Sequence, residues 1–372
     1  MRILQWAVPY FPVLGGREKF IENLSAGLRE LGHEVTLIAQ ATGLNDHSQE
    51  SREDVDLRIA PEIEMMQRAT DERNEQWQRL EALMDAKQPQ VMHIHNLARL
   101  DINLIRRVST NWNLPIVLTL HGNWFETKLF PGFAKNQLQS IDKLVAISPY
   151  ISDTYLENFP ELESRVEIIP NGTATVDSPT PLGDNFVFLG RLSPDKGVLQ
   201  LLSAFFHMSK LHPDARLVIA GDGPEKRLVE NVIEDFGLTH LVSMTGWLGE
   251  PELRKVIERA RAVIVPSVTP EPFGLAAIEA MSMGRPIIYT NQGALPWIAE
   301  GGKGGIPFES GSIEQLVAAM REFHHHKPRA EAAGRAAYEI VQKRFSIDAM
   351  LNSYVLCYQR TLSEYQTLKN GS

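Results

Sequence analysis

The sequence predicts an α/β protein made of two doubly wound parallel-sheet units, and three observations lead there. Short apolar runs alternate with amphipathic helical stretches along the chain, as a parallel sheet with crossover helices requires. The alternation starts again after PNGTATVDSPTPLGD, residues 170–184, a Pro-, Gly- and Asp-containing stretch that reads as a linker. A chain of 372 residues that is 43% hydrophobic can fill two cores more readily than one.

In the first half RILQWAV, EVTLIA, VMHIH, IVLTLH, KLVAIS and VEIIP read as strands. Between the first two lies REKFIENLSAGLREL, whose Phe20, Leu24, Leu28 and Leu31 recur at helical spacing. PEIEMMQRATDERNEQWQRLEALMDAKQP, residues 61–89, reads as one long charged helix whose charge is a solvated face. In the second half NFVFLG, ARLVIAG, LVSMTG, AVIVPS and RPIIYT read as strands. VLQLLSAFFHMSKL, PEKRLVENVIEDF, PELRKVIERA and GLAAIEAMSM supply the helices. Open parallel sheets bind ligands at the carboxyl ends of their strands, so two facing units would enclose a cleft, and the chemistry belongs in strand-to-helix loops.

Three loops carry candidate chemistry. Gly15 and Gly16, between a strand and a helix, let backbone amides approach an anion, although a tight turn would use the same glycines. Their spacing fails the dinucleotide fingerprint G-x-G-x-x-G, so NAD gains no support. In LGRLSPDKGV, Gly190 ends a strand and Arg191 and Lys196 flank a Pro-Asp turn, two cations able to converge on a diphosphate or to form surface ion pairs. In TPEPFGLAAIEAM, Phe273-Gly274-Leu275 opens a helix and exposes amide donors suited to sugar hydroxyls or phosphate oxygens. Glu271 precedes that turn and can accept from sugar hydroxyls; Glu279, one helical turn beyond Leu275, can hold a diol such as a ribose. Two ordinary helix acids remain the plain alternative.

GGREKFIENLSAGLRELGHEV, VMHIHN, LTLHG, VAISPYI, IIPNG, FLGRLSPDKGV, LVIAGDGPE, MTGWL and VPSVTPEPFGLAAIEAMSMGRPII, in this order, resemble the successive motifs of the retaining family 4 glycosyltransferases. The resemblance covers nearly the whole chain, and its most specific part is Glu271-x7-Glu279 with Arg191 and Lys196. It implies a GT-B fold with an interdomain cleft: an acceptor-binding domain over residues 1–175, a nucleotide-sugar-binding domain over 176–345, and a helix over 346–372 that crosses back to the first domain. Carried over by motif, Arg191 and Lys196 hold the donor diphosphate, Gly16 closes against it, and Glu279 binds the ribose. Glu271 with the backbone of Phe273, Gly274 and Leu275 binds the transferred sugar, the backbone at Trp247 contacts the nucleobase, and His121 lies near the donor sugar. Catalysis is then assigned to His121, Arg191, Lys196 and Glu271, and donor binding to Gly15, Gly16, Gly190, Arg191, Lys196, Trp247, Glu271, Phe273, Gly274, Leu275 and Glu279. Trp124 can stack on an acceptor sugar or pack in the core. Ala294 and Trp297 stand where the family carries a glycine and an acid, which puts that loop's donor contacts in doubt.

The implied reaction is hexosyl transfer from a nucleotide-diphosphate sugar, UDP or GDP being expected, to the hydroxyl of a saccharide, a lipid-linked saccharide or a small molecule, in polysaccharide or glycoconjugate biosynthesis. No cofactor and no metal are expected, because two protein cations replace magnesium. His93 and His95, on one face of a strand, read as a polar pair rather than a metal site, and His324-His325-His326 as a surface tract in a loop. The one cysteine, Cys357, excludes an internal disulfide and fits a cytoplasmic location, with attachment at the inner face of the membrane left open. The first residues read as a strand rather than a signal peptide, and no stretch approaches the roughly 20 apolar residues of a membrane span. Residues 1–180 hold 17 Lys and Arg against 25 Asp and Glu, nearly all of the net charge of −9, which argues against nucleic acid and disfavours anionic lipid. A GT-B epimerase or phosphorylase would need the same phosphate grip without a separate acceptor, and a non-catalytic sugar-nucleotide sensor the same grip without turnover.

Overall fold

The computed structural model describes residues 1–7, 16–40, 56–59, 70–95, 102–122 and 131–370. Packing divides the chain into two units, one of Met1–Pro170 with Met350–Ser372 and one of Asn171–Ala349. The first is built on β1 (Arg2–Ala7), β2 (Glu34–Gln40), β3 (Leu57–Ile59), β4 (Val91–His95), β5 (Ile116–Leu120), β6 (Lys143–Ala146) and β7 (Val166–Ile168). These strands run parallel in the order β3-β2-β1-β4-β5-β6-β7, with Ile3 opposite Val91 and Ala7 opposite His95. Every residue of β4 and β5 is buried, as expected for central parallel strands covered on both faces.

Its helices are α1 (Gly16–Glu30), α2 (Thr70–Lys87), α3 (Ile102–Trp112), α4 (Pro131–Leu138) and α5 (Pro149–Leu156). Helix α1 forms because Phe20, Ile21, Leu24 and Leu28 make one apolar stripe, and all four are buried. Ser148 caps α5 by accepting from the Ile151 amide at 3.2 Å, and Pro149 fills the first turn, where no amide is needed. Of the helix expected over 61–89, α2 occupies Thr70–Lys87, and residues 61–69 lie outside the described residues.

The second unit carries β8 (Asn185–Leu189), β9 (Arg216–Ala220), β10 (Val242–Gly246), β11 (Ala260–Val265), β12 (Ile287–Thr290) and β13 (Gly305–Phe308), all parallel, in the order β10-β9-β8-β11-β12-β13. Its helices are α6 (Val198–Leu211), α7 (Lys226–Asp235), α8 (Glu250–Glu258), α9 (Leu275–Ser282), α10 (Leu295–Ile298), α11 (Ile313–His325) and α12 (Lys327–Arg344). Val198, Leu201, Leu202, Phe205 and Met208 of α6 and Leu316, Met320 and Phe323 of α11 are buried in one core with Phe186, Phe188 and Ile264 of the sheet. Each such side chain contributes about 1.5–3 kcal/mol of burial. Arg285, fully buried, ties the linker down by donating to the carbonyls of Pro181 at 2.8 Å and Thr180 at 3.0 Å.

The last helix, α13 (Ile347–Asn370), packs with the first unit from Met350 onward. Two short strands escape the sequence reading: β3 has three residues, and β13 is a Gly-Ile-Pro-Phe run without alternation. Among the described residues no helix is long and apolar enough to cross a membrane. Strand order reverses between β1 and β4 in the first sheet and between β8 and β11 in the second, the positions where open parallel sheets take ligands.

Candidate functional site

The loops leaving β8 and β11 meet at the reversal of the second sheet. After Gly190, Arg191 is exposed, while Leu192 is buried and its amide bonds to the Asp222 carbonyl at 2.9 Å, which anchors the loop. One 3-10 turn, Pro194–Lys196, follows, and Gly197 then takes a left-handed conformation at φ 70°. A Cβ at Gly197 would lie 2.0 Å from the Pro266 carbonyl oxygen, so only glycine lets the β8 loop approach the β11 loop this closely. The Val268 amide donates to the Asp195 carbonyl at 2.8 Å and joins the two loops.

That approach places Lys196 Nζ 2.6 Å from Glu271 Oε1, and the Ser267 hydroxyl donates to the same oxygen at 2.5 Å. Glu271 is only 8% exposed, whereas the Lys196 side chain is 30% exposed and keeps solvent access. Gln292 steadies the β11 loop by donating to the carbonyls of Ser267 at 2.8 Å and Val268 at 3.0 Å. Ala294, at a departure from the family pattern, gives its amide to the Glu271 carbonyl at 2.9 Å. Gly274, at φ 119°, begins α9 with no side-chain cap. The ring of Phe273 is a core anchor, edge-on to Phe345 at 5.9 Å and to Trp297 at 6.4 Å. Glu279 is half-buried one turn into α9. At the end of β10 Trp247 is 56% exposed. Lys196 and Glu271 are thus brought together across 75 positions, while Arg191 makes no hydrogen bond to either among the described residues.

In the first unit β4 ends on His95, His121 follows β5, and Gly16 opens α1. His121 Nε2 lies 3.4 Å from His95 Nδ1, and Phe20 packs edge-on against both rings at 4.8 and 5.8 Å. Burial lowers both histidines well below the usual imidazole range, and the Arg17 guanidinium adds to it. His95 Nε2 is buried without a hydrogen-bond partner among the described residues. Burial lowers His93 to about 3. Its two ring nitrogens contact the Tyr358 hydroxyl at 2.6 Å and the Thr119 hydroxyl at 2.7 Å, and Thr119 contacts the Tyr354 hydroxyl at 2.9 Å. With both nitrogens engaged, His93 is a clamp for α13 rather than a metal ligand. Gly15 and Trp124 lie outside the described residues.

The His324-His325-His326 tract differs from the expected loop, because His324 and His325 are the last two residues of α11. Burial lowers the pKa of His212, beside them, with His325, His324 and Arg321 adding to the effect.

Sequence reasoning missed Ser267, Gln292, Arg17 and the Tyr354–Tyr358 pair. Ser267 could have been found, since it ends the run AVIVPS four residues before Glu271; the others act through contacts that no local pattern announces.

Residues 180–340 match the family described as Glycosyl transferases group 1, and residues 14–176 the one described as Glycosyltransferase Family 4. The chain is 24% identical over 385 aligned positions to a glycogen synthase of Mycobacterium tuberculosis, covering 93% of this chain and 91% of that protein. Its fold resembles the sucrose-phosphate synthase of Thermosynechococcus elongatus, with TM-score 0.76 and 19% identity over 98% of this chain and 100% of that one. It also resembles Anabaena HepE, solved in complex with UDP and glucose, with TM-score 0.74 and 16% identity over 96% of this chain and 99% of that one.

Proposed function

From a chain that belongs to the group 1 and family 4 glycosyltransferases and has their GT-B fold, we propose a retaining hexosyltransferase that takes its sugar from a nucleoside-diphosphate donor. The observation that carries this reading is the Lys196–Glu271 contact at the reversal point of the second sheet, beside the uncapped entrance of α9. Breaking the anomeric bond builds negative charge on the departing diphosphate, and a fixed cation there lowers the barrier. Lys196 and Arg191 supply that charge in place of a metal ion. Glu271, held by Lys196 and Ser267, keeps one buried carboxylate aimed at sugar hydroxyls, while Glu279 holds the ribose. The backbone at Trp247 meets the base, and the Phe273-Gly274-Leu275 amides meet the transferred sugar.

His121, kept neutral by burial and by Arg17, is a hydrogen-bonding group toward the donor sugar rather than a cation. A carboxylate already engaged by an ammonium and a hydroxyl is a poor covalent nucleophile. The favoured route is therefore front-face attack, in which the acceptor hydroxyl bonds to the anomeric carbon as the glycosyl–phosphate bond breaks and a phosphate oxygen receives the acceptor proton. UDP is the first nucleotide to try, since HepE was solved with it.

The test is a thermal-shift screen against UDP, GDP and ADP and their sugars, followed by product analysis with and without saccharide acceptors. A true donor at a hundredfold excess over Kd stabilises by about 2.7 kcal/mol. An axial anomeric linkage made from an axial donor supports the reading. An inverted product refutes retention, and the absence of any nucleotide-dependent shift refutes the donor assignment.

A further inference from the structure

The carboxyl-terminal ends of α6 and α11 bring together a group of side chains that the transfer reaction does not use. His212 terminates α6, and its carbonyl accepts from the Ala215 amide at 3.0 Å, a turn across Pro213-Asp214 that carries Asp214 back toward the helix end. His324, from the last turn of α11, places Nε2 3.4 Å from Asp214 Oδ2, and its ring centroid lies 4.9 Å from that of His212. One ligand atom each from His212, Asp214 and His324 lies within 4.8 Å of the other two. Arg261 fixes the end of α11 by donating to the Phe323 carbonyl at 3.2 Å. His212 Nε2 is buried with no hydrogen-bond partner among the described residues, which for an imidazole beside two further ligand groups is an unexplained cost.

We infer that His212, Asp214 and His324 form a binding site for a zinc-class divalent cation that staples the ends of α6 and α11. Two imidazoles and one carboxylate suit zinc, cobalt or nickel rather than magnesium or calcium. A tetrahedral zinc separates such ligands by about 3.3 Å, a closure within reach of rotation by the exposed Asp214, whose side chain is 75% exposed. His325 packs edge-on against the His212 ring at 4.4 Å and is not counted among the ligands, so the fourth position is left to solvent. His326 instead pairs with Glu322 at 3.1 Å and takes no part. The site is structural: it sits at the far end of α6 from Gly197, about 20 Å along a helix of 14 residues.

The full chain, freed of any affinity tag and stripped with chelator, is titrated with zinc sulfate by calorimetry and with cobalt chloride by visible absorption. One equivalent of zinc, intense tetrahedral cobalt bands and a rise in Tm are expected. Asp214→Asn, His212→Ala and His324→Ala should each weaken zinc binding about tenfold or more, while His326→Ala leaves it unchanged. Because Asp214 is exposed, its variant keeps the fold and carries the test even if a histidine variant does not. Absence of stoichiometric binding overturns the inference. So does binding that survives Asp214→Asn and His212→Ala but disappears in His325→Ala/His326→Ala, which would mark an adventitious histidine tract.

Discussion

Lys196→Ala separates the two jobs given to one ammonium. In the folded chain Lys196 Nζ lies 2.6 Å from Glu271 Oε1, and among the described residues the Glu271 side chain keeps the Ser267 hydroxyl as its hydrogen-bond partner when that charge is removed. Stripping one partner from a fully buried ion pair costs about 3–5 kcal/mol. The Lys196 side chain is 30% exposed, so water reaches the vacated position and the expected loss of stability falls to about 1–2 kcal/mol. Donor binding should lose one charge-assisted contact, about 1.5–3 kcal/mol, or roughly 10- to 150-fold in kcat/KM. Urea unfolding reads the first quantity and initial rates with the nucleotide sugar the second. The double variant Lys196→Ala/Glu271→Gln leaves no unpaired charge, so it should recover most of the stability and none of the rate. Strictly additive stabilities would show that the pair is uncoupled, and an unchanged kcat/KM in Lys196→Ala would remove this loop from the donor site.

Three further outcomes follow from the same structure. His93, His95 and His121 all have folded pKa values below the ordinary 6.5, so the unfolded chain binds more protons below that pH. Stability is complete above about 6.5 and falls on acidification below it, down to about 3 for His93, by up to about 1.4 kcal/mol per pH unit for each group; urea unfolding at pH 7 and 5 should show a slope that lessens in His95→Asn. Tyr358→Phe strands a buried nitrogen of His93 and should cost about 1–3 kcal/mol in urea unfolding, with no change in the KM for donor. Gly197→Ala places a methyl 2.0 Å from the Pro266 carbonyl at a left-handed φ, so calorimetric nucleotide binding should be lost along with at least about 1 kcal/mol of stability. Full binding by that variant would mean the β8 and β11 loops need not touch.

The strands read directly from the sequence were those whose burial makes them continuously apolar, such as VMHIH and IVLTL, and α6 occupies the same residues that its apolar spacing marks. β3 and β13 were not legible, because LRI is too short to show a period and GIPF carries Gly and Pro; β7, equally short and also at an edge, was read only because its apolar run continues as VEIIP. The histidine tract was misplaced for a similar reason: helix termini depend on what packs beside them, here the Arg261 bond to the Phe323 carbonyl.

For this protein, local order determined a great deal: periodicity of 2 or 3.6 residues marks elements, and glycine beside cations or acids marks loops that can meet an anion. The sequence alone therefore named Lys196, Glu271 and Gly274 as belonging to strand-to-helix loops. It did not tell that Lys196 and Glu271 touch, that Ser267 shares their oxygen, or that His212 faces His324. Ser267 is only four residues from Glu271, where connectivity keeps the two near but does not set which oxygen the hydroxyl meets; Lys196–Glu271 and His212–His324 join positions 75 and 112 residues apart, separations at which chain connectivity imposes no distance. Strand order imposes it: β8 pairs with β11, and that pairing decides which loops become neighbours.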